Sequence, residues 1–274
     1  MHITTLFIWF ILYSVLGWIY ETIYCSVKEL AWNNRGMLNG PYCPIYGVGA
    51  VLDVLICSHL PGPGAVFLTC VFGSALLEYT TSYVTEKLFH AVWWDYSDMP
   101  LNINGRICVP GSLTFGVAGL LVLYVLQPCM ALITNSIPLY GQEFLAMMFV
   151  AFFSADCVLT ADSLIALNTK LDAAMKALDA QIAEKYSAFI ENTKQNLCEG
   201  LNSLKEKISF EEFLEKRTDE ELNHTLSTMN WKQMRLLRSS VSFRKVRYSD
   251  FGNKMRHMLS FGRKNKEDTE WKQE

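Results

Sequence analysis

Charge is scarce in the first 165 residues of this 274-residue chain. Of its 24 Lys and Arg residues, only Lys28, Arg35, Lys87 and Arg106 precede Ala166. A soluble domain carries about a quarter of its residues as charges, so a stretch this poor in them is not one. Chemical signatures are missing as well. There is no GxxxxGK[ST] phosphate loop, so the chain is not itself a P-loop ATPase. There is no HExxH, and no nucleophilic Ser or Cys stands in a recognisable setting. The eight cysteines form no CxxC pair, and neither they nor the five histidines show zinc-type spacing. No metal and no cofactor is expected on those grounds, no catalytic residue can be assigned, and an enzyme is disfavoured.

What the first part does contain is apolar sequence. Five stretches, near 3–25, 42–60, 64–86, 108–127 and 138–163, are long enough as helices to cross about 30 Å of hydrocarbon. The first lacks a basic n-region and a small-residue cleavage site and is read as a retained span. The second is weakened by Gly47, Gly49 and Asp53 and opens on Pro41 and Pro44, so a re-entrant segment is the alternative there. The expected fold is all-α: a polytopic transmembrane bundle of about five spans over 1–165, followed by a long cytosolic helical tail over 166–274. The tail holds 20 of the 24 basic residues, which places it in the cytosol and, with five spans, the N-terminus outside. On that topology the loops near 61–63 and 128–137 face outward, and they contain no Lys or Arg.

Both long inward loops are unusual. Residues 93–106 read WWDYSDMPLNINGR. Trp93, Trp94 and Tyr96 suit the headgroup layer and are read as interface anchors. Asp95, Asn102 and Arg106 add hydrogen-bonding groups, and Gly105 permits a tight turn. Residues 33–49 read NNRGMLNGPYCPIYGVG, a defined bend that could dip back into the domain. Glu21 and Glu78 lie within spans, where an ionisable side chain normally faces protein or water. Glu21, Arg35, Glu78, Asp95, Asn102 and Arg106 therefore form a candidate polar pocket at the cytosolic edge. An arginine there could hold phosphate or carboxylate, and a carboxylate could act as a base. The alternative is that these charges pair to hold helices and loops together. Asp156, in the last turns of the fifth span, also needs a buried partner.

The tail opens with apolar residues at Leu164, Leu167, Leu171, Ala174, Leu178, Ile182, Phe189, Leu197, Leu201, Leu204 and Ile208, a helical stripe that something must cover. A second copy or the tail folding back would do so. An acidic patch at 211–221 precedes a basic stretch, Lys232 to Lys266, interleaved with aromatics. That stretch is either a solvated tail or a segment lying on anionic lipid, and nucleic acid is not an expected partner.

RGMLNGPYCPIYGVGA at 35–50, EYTTSYVTEKLF at 78–89 and WWDYSDMPLNINGRICV at 93–109 resemble the signature segments of a bacterial membrane family, the type IV ABC transporters or CmpB-like permeases. The resemblance covers about 1–165. It implies a permease subunit in the bacterial inner membrane, working with a separate ATPase that docks on the cytosolic loops. A homo-oligomer is expected, since five spans are few for a transport path. The competing readings are a lipid- or anion-binding protein or embedded enzyme using the Glu/Arg pocket, and a scaffold whose output is the tail.

Overall fold

The computed structural model describes residues 2–30, 32, 34, 36–195, 216–240 and 242–243. It is helical almost throughout. Helix α1 (Ile3–Glu29) ends where Leu30 turns left-handed, with Lys28 in its last turn against the helix's negative end. Helix α2 (Pro44–Cys57) starts on a proline, whose missing N–H costs nothing at that position. Helix α3 (Gly62–Phe89) ends at His90, again left-handed. Helix α4 (Val109–Leu121) runs through a π-helical stretch, Val122–Leu126, into α5 (Gln127–Asn135). The wide turn has a cause in the sequence. Pro128 has no N–H and its ring collides with the carbonyl four residues back, so the register opens just before it. Helix α6 (Leu139–Gln195) is the longest.

Among the described residues, four helical stretches are long and apolar enough to cross a membrane: Ile3–Lys28, Gly62–Phe89, the continuous α4–α5 run Val109–Asn135, and Leu139–Glu184. The second expected span differs. Helix α2 has 14 residues, about 21 Å at 1.5 Å per residue, and is too short to cross alone. The segment before it, 36–43, is non-helical and lies against α1. Cys43 N–H donates to Ser14 O at 2.9 Å, and Trp18 Nε1 donates to Asn34 Oδ1 at 2.8 Å. Gly36, at φ 113°, gives this backbone its turn, whereas Gly47 and Gly49 lie within α2.

The first compact unit ends at Asp162. Its side chains are arranged inside out. Thr134 is 0% exposed, and Ser14, Thr22 and Thr160 are also buried, whereas Phe72 is 72% exposed with Leu68, Leu76, Val117 and Met147 similarly outward. Large apolar surface that faces outward while hydroxyls are buried needs hydrocarbon around it. The chain is a multi-pass membrane protein.

With α4–α5 taken as one run, successive helices of this unit run antiparallel, which sorts the connections to two ends. Thr5 Oγ1 donates to Gln142 Oε1 at 2.8 Å, Gln142 Nε2 donates to Thr134 O at 2.9 Å, and Trp9 Nε1 donates to Thr134 Oγ1 at 3.3 Å. These bonds tie α1, α5 and α6 at the end that carries the N-terminal residues. The opposite end carries the 36–43 and 90–108 segments. Helices α1 and α2 meet through glycine. A Cβ on Gly47 would lie 2.2 Å from Ser14 Oγ and 2.4 Å from Phe10 O. Gly47→Ala should therefore separate the two helices and destabilise the unit by about 1–3 kcal/mol, an overpacking cost. The check is a lowered thermal midpoint of the detergent-solubilised chain.

The second unit, from Ser163 to Arg238, takes in the first part of the tail. Leu164, Leu167, Leu171, Ala174 and Leu178 are all buried there. So are Leu222, on a helix over 216–227 (α7), and Leu236 and Leu237, on α8 (Trp231–Ser239). Lys170 Nζ donates to Thr228 O at 2.5 Å. The tail folding back thus covers the stripe. The side chains of the stripe beyond Glu184, and most of the acidic and basic stretches that follow, lie outside the described residues.

Candidate functional site

The 93–108 connection is a built loop. Asn104 and Gly105 both take positive φ, 54° and 62°, and Arg106 N–H donates to Ile103 O at 3.0 Å. That is the primed turn an Asn-Gly pair favours, and it pairs Asn102–Ile103 with Ile107–Cys108 in a short antiparallel hairpin. Asn102 braces it from inside. Its amide nitrogen donates to Met99 O at 2.8 Å and Ser97 O at 3.2 Å, and its oxygen accepts from Gly105 N–H at 3.1 Å. Asp95 is exposed and accepts from Ser97 N–H at 3.0 Å.

Arg106 fastens this hairpin to α3. Its guanidinium pairs with Glu86 at 2.8 Å and donates to Ser82 Oγ at 3.3 Å. It also lies over the rings of Tyr79 and Tyr83, 5.6 Å and 5.4 Å from their centroids. Three α3 residues one helical turn apart, Tyr79, Ser82 and Glu86, with Tyr83 beside them, make one face for one arginine. Trp94 Nε1 closes the base by donating to Arg106 O at 3.0 Å.

Asp156 fastens the other loop. Its carboxylate accepts from Asn39 N–H at 3.1 Å, Asn39 Nδ2 at 2.7 Å, Gly40 N–H at 2.7 Å, Tyr42 Oη at 2.6 Å and Thr160 Oγ1 at 3.1 Å. A buried carboxylate is tolerable when its lone pairs are filled in this way.

Between the clamps lies an acidic cluster. Tyr46 Oη donates to Glu21 Oε1, and Tyr96 Oη donates to Glu78 Oε1 at 3.2 Å. Glu21 lies within electrostatic range of both Glu78 and Tyr96. Glu78 is buried, and its Oε2 accepts no hydrogen bond among the described residues. Chemically, two carboxylates and two phenols with one empty acceptor can take up a proton or a cation.

Of the six residues expected to form a pocket, Glu21 and Glu78 lie within electrostatic range of each other, each holding its own tyrosine. Arg106 turns to Glu86 and two tyrosine rings instead, because they lie directly beneath the hairpin. Asp95 and Asn102 shape the loop, and Arg35 lies outside the described residues. Tyr96, expected as an interface anchor, turns inward to Glu78. Trp93 packs edge-on against Phe89. The sequence reading missed Tyr42 and Tyr46, whose signal was their place in a Gly/Pro loop facing spans that carry unpaired acids.

Burial first, and the neighbouring carboxylate second, push the Tyr42 and Tyr96 phenols above their ordinary values. Because the folded values are raised, these phenols stabilise the fold fully below the ordinary tyrosine value of about 10 and lose that effect only as pH rises through the raised values. In a phenolate titration, subtracting Tyr42→Phe or Tyr96→Phe from the parent should reveal a phenol that ionises late. A phenol ionising at the ordinary value at either position would contradict the inward hydrogen bonds.

No curated protein and no solved structure matches the chain. A family model does, over residues 8–161, which takes in α1 to α5, both clamped loops and the first part of α6. The chain belongs to the family described as Putative ABC-transporter type IV.

Proposed function

We propose that the chain is the permease subunit of an ATP-binding cassette transporter in a bacterial cell membrane, driven by a separate ATPase that docks on the 93–108 hairpin. The observation that carries this reading is the family match across the membrane unit. Four further features support the docking site. The hairpin is braced to α3 rather than free, and a rigid platform is what transmits force between subunits. Leu101 and Ile103 stand exposed on it. Lys28, Lys87 and Arg106 all fall at that end of the bundle, which supports a cytosolic face there and an N-terminus outside. The chain has no phosphate loop of its own, so the energy must come from a partner. Two copies of the permease would supply enough helices to line a path.

The test is purification of the tagged chain from its native membrane in mild detergent, with mass spectrometry of what accompanies it. An ABC-type ATPase in fixed ratio, lost in Arg106→Ala while membrane abundance holds, supports the reading. Recovery of the chain alone counts against it. A second reading, ligand binding at the Glu21–Glu78 cluster, is favoured by the empty acceptor on Glu78. The ligand there is cationic or a proton, since no Lys or Arg meets either carboxylate among the described residues. Glu78→Gln should abolish that function and leave insertion and abundance intact; disappearance of the protein would make Glu78 structural.

A further inference from the structure

A second polar cluster sits nearer the other end of the bundle, away from both loops. Asp53 and Cys57 are four residues apart on α2 and so share a face, and Cys70 of α3 packs against them. One ligand atom from each lies within 4.8 Å of the other two. Cys57 and Cys70 Sγ are 3.9 Å apart, and Cys70 Sγ is 3.3 Å from Asp53 Oδ1. Both sulfurs are buried, each residue being 1% exposed. Helix α4 approaches closely on the third side at Gly119, where a Cβ would lie 2.3 Å from Cys70 Sγ and 3.3 Å from Asp53 Oδ2.

Two physical arguments point the same way. The first is metric. A tetrahedral zinc-type ion bonds sulfur at about 2.3 Å and carboxylate oxygen at about 2.0–2.2 Å, which holds two sulfurs about 3.8 Å apart and a sulfur–oxygen pair about 3.5 Å apart. The separations across the α2–α3 interface are close to these. The second is energetic. A carboxylate within a membrane domain needs a strong partner. Among the described residues, the one hydrogen bond to Asp53 comes from a thiol, a weak donor. A cation at the centre of the three groups would meet that need.

We propose that Asp53, Cys57 and Cys70 are the protein ligands of a binding site for a thiophilic metal ion of the Zn2+ class. Binding breaks the two S–H bonds, releases both protons to solvent and forms two metal–thiolate bonds, with the Asp53 carboxylate as third ligand. Three protein ligands leave the fourth tetrahedral position for water or an exchanging group. The site does not depend on the permease reading and would exist whether or not an ATPase binds this chain.

Co2+ is the probe, because thiolate ligands give it a charge-transfer absorption that carboxylates and water do not. The full chain is purified in detergent under reducing conditions, titrated with Co2+, and then challenged with Zn2+. The expected result is one equivalent of Co2+ with a thiolate band that Zn2+ abolishes. The band should be lost in Cys57→Ser and in Cys70→Ser and kept in Cys129→Ser, whose cysteine is exposed. To separate loss of ligand from loss of fold, a chain in which only Cys57 and Cys70 remain as cysteine is also titrated and should keep the band. A parent chain without the band overturns the proposal, and so does a band that survives in the Cys57→Ser/Cys70→Ser double variant. Recovery of a Cys57–Cys70 disulfide from membranes whose thiols were blocked at lysis overturns it as well.

Discussion

Replacing Asp156 by alanine is expected to release the 36–43 segment from the bundle and to lower stability by about 3–5 kcal/mol. The carboxylate gathers five donors from Asn39, Gly40, Tyr42 and Thr160, two of them backbone N–H groups. A buried donor left without an acceptor costs about 1–3 kcal/mol, and water admitted by the smaller side chain would satisfy some of the five but not all. Asp156→Asn should fall between. Its oxygen still accepts, while its amide turns a donor towards donors. Two readouts check this. One is the thermal midpoint in detergent. The other is maleimide labelling at Cys43, which is buried and whose N–H is held by Ser14 O. Labelling should rise sharply in Asp156→Ala. An unchanged midpoint with Cys43 still protected would mean that the segment is held by packing and not by this clamp.

The second large effect is expected at Arg106. Alanine there removes the ion pair with Glu86, the bond to Ser82 and the contact with two rings. Breaking a buried pair from one side typically costs about 3–5 kcal/mol. Arg106 is 11% exposed and Glu86 24%, so solvent screens part of this and a loss of about 2–3 kcal/mol is expected. Arg106→Lys can still pair with Glu86 but has no planar fork to lie over Tyr79 and Tyr83, and should lose about 1 kcal/mol. The pair term is isolated by a cycle with Glu86→Gln: if the two residues act on one another, the double variant loses less than the sum of the singles. Additive losses would contradict the ion pair as the fastening of the hairpin.

The long spans were legible because apolar runs of that length have one stable solution in hydrocarbon, and both α1 and α3 fall where the composition puts them. Helix α2 was harder. A hydropathy run from 42 to 60 counts Pro44 and the glycines as part of a span, but only contacts with Ser14, Trp18 and Asp156 show that 36–43 enters as irregular backbone. The Asn-Gly turn could be read from two letters, because positive φ at both positions is a local property. Arg106 could not. Whether an arginine binds a ligand or its own helix depends on what the fold puts beneath it, and Tyr79, Ser82, Tyr83 and Glu86 line up only once α3 is a helix meeting that hairpin. Asp53 and Cys57 carry a helical spacing that was visible, but the third ligand comes from another helix, and such a cluster has no sequence signature.

The proposed docking of an ATPase on the braced hairpin at 93–108 is open to direct test. A photoreactive amino acid at Ile103, exposed at the hairpin tip, and another at Tyr140, exposed at the opposite end of the bundle, would test it in intact membranes. The account predicts a crosslink to an ABC-type ATPase from Ile103 and none from Tyr140. A crosslink from Tyr140, or only lipid and self-adducts from Ile103, would contradict it.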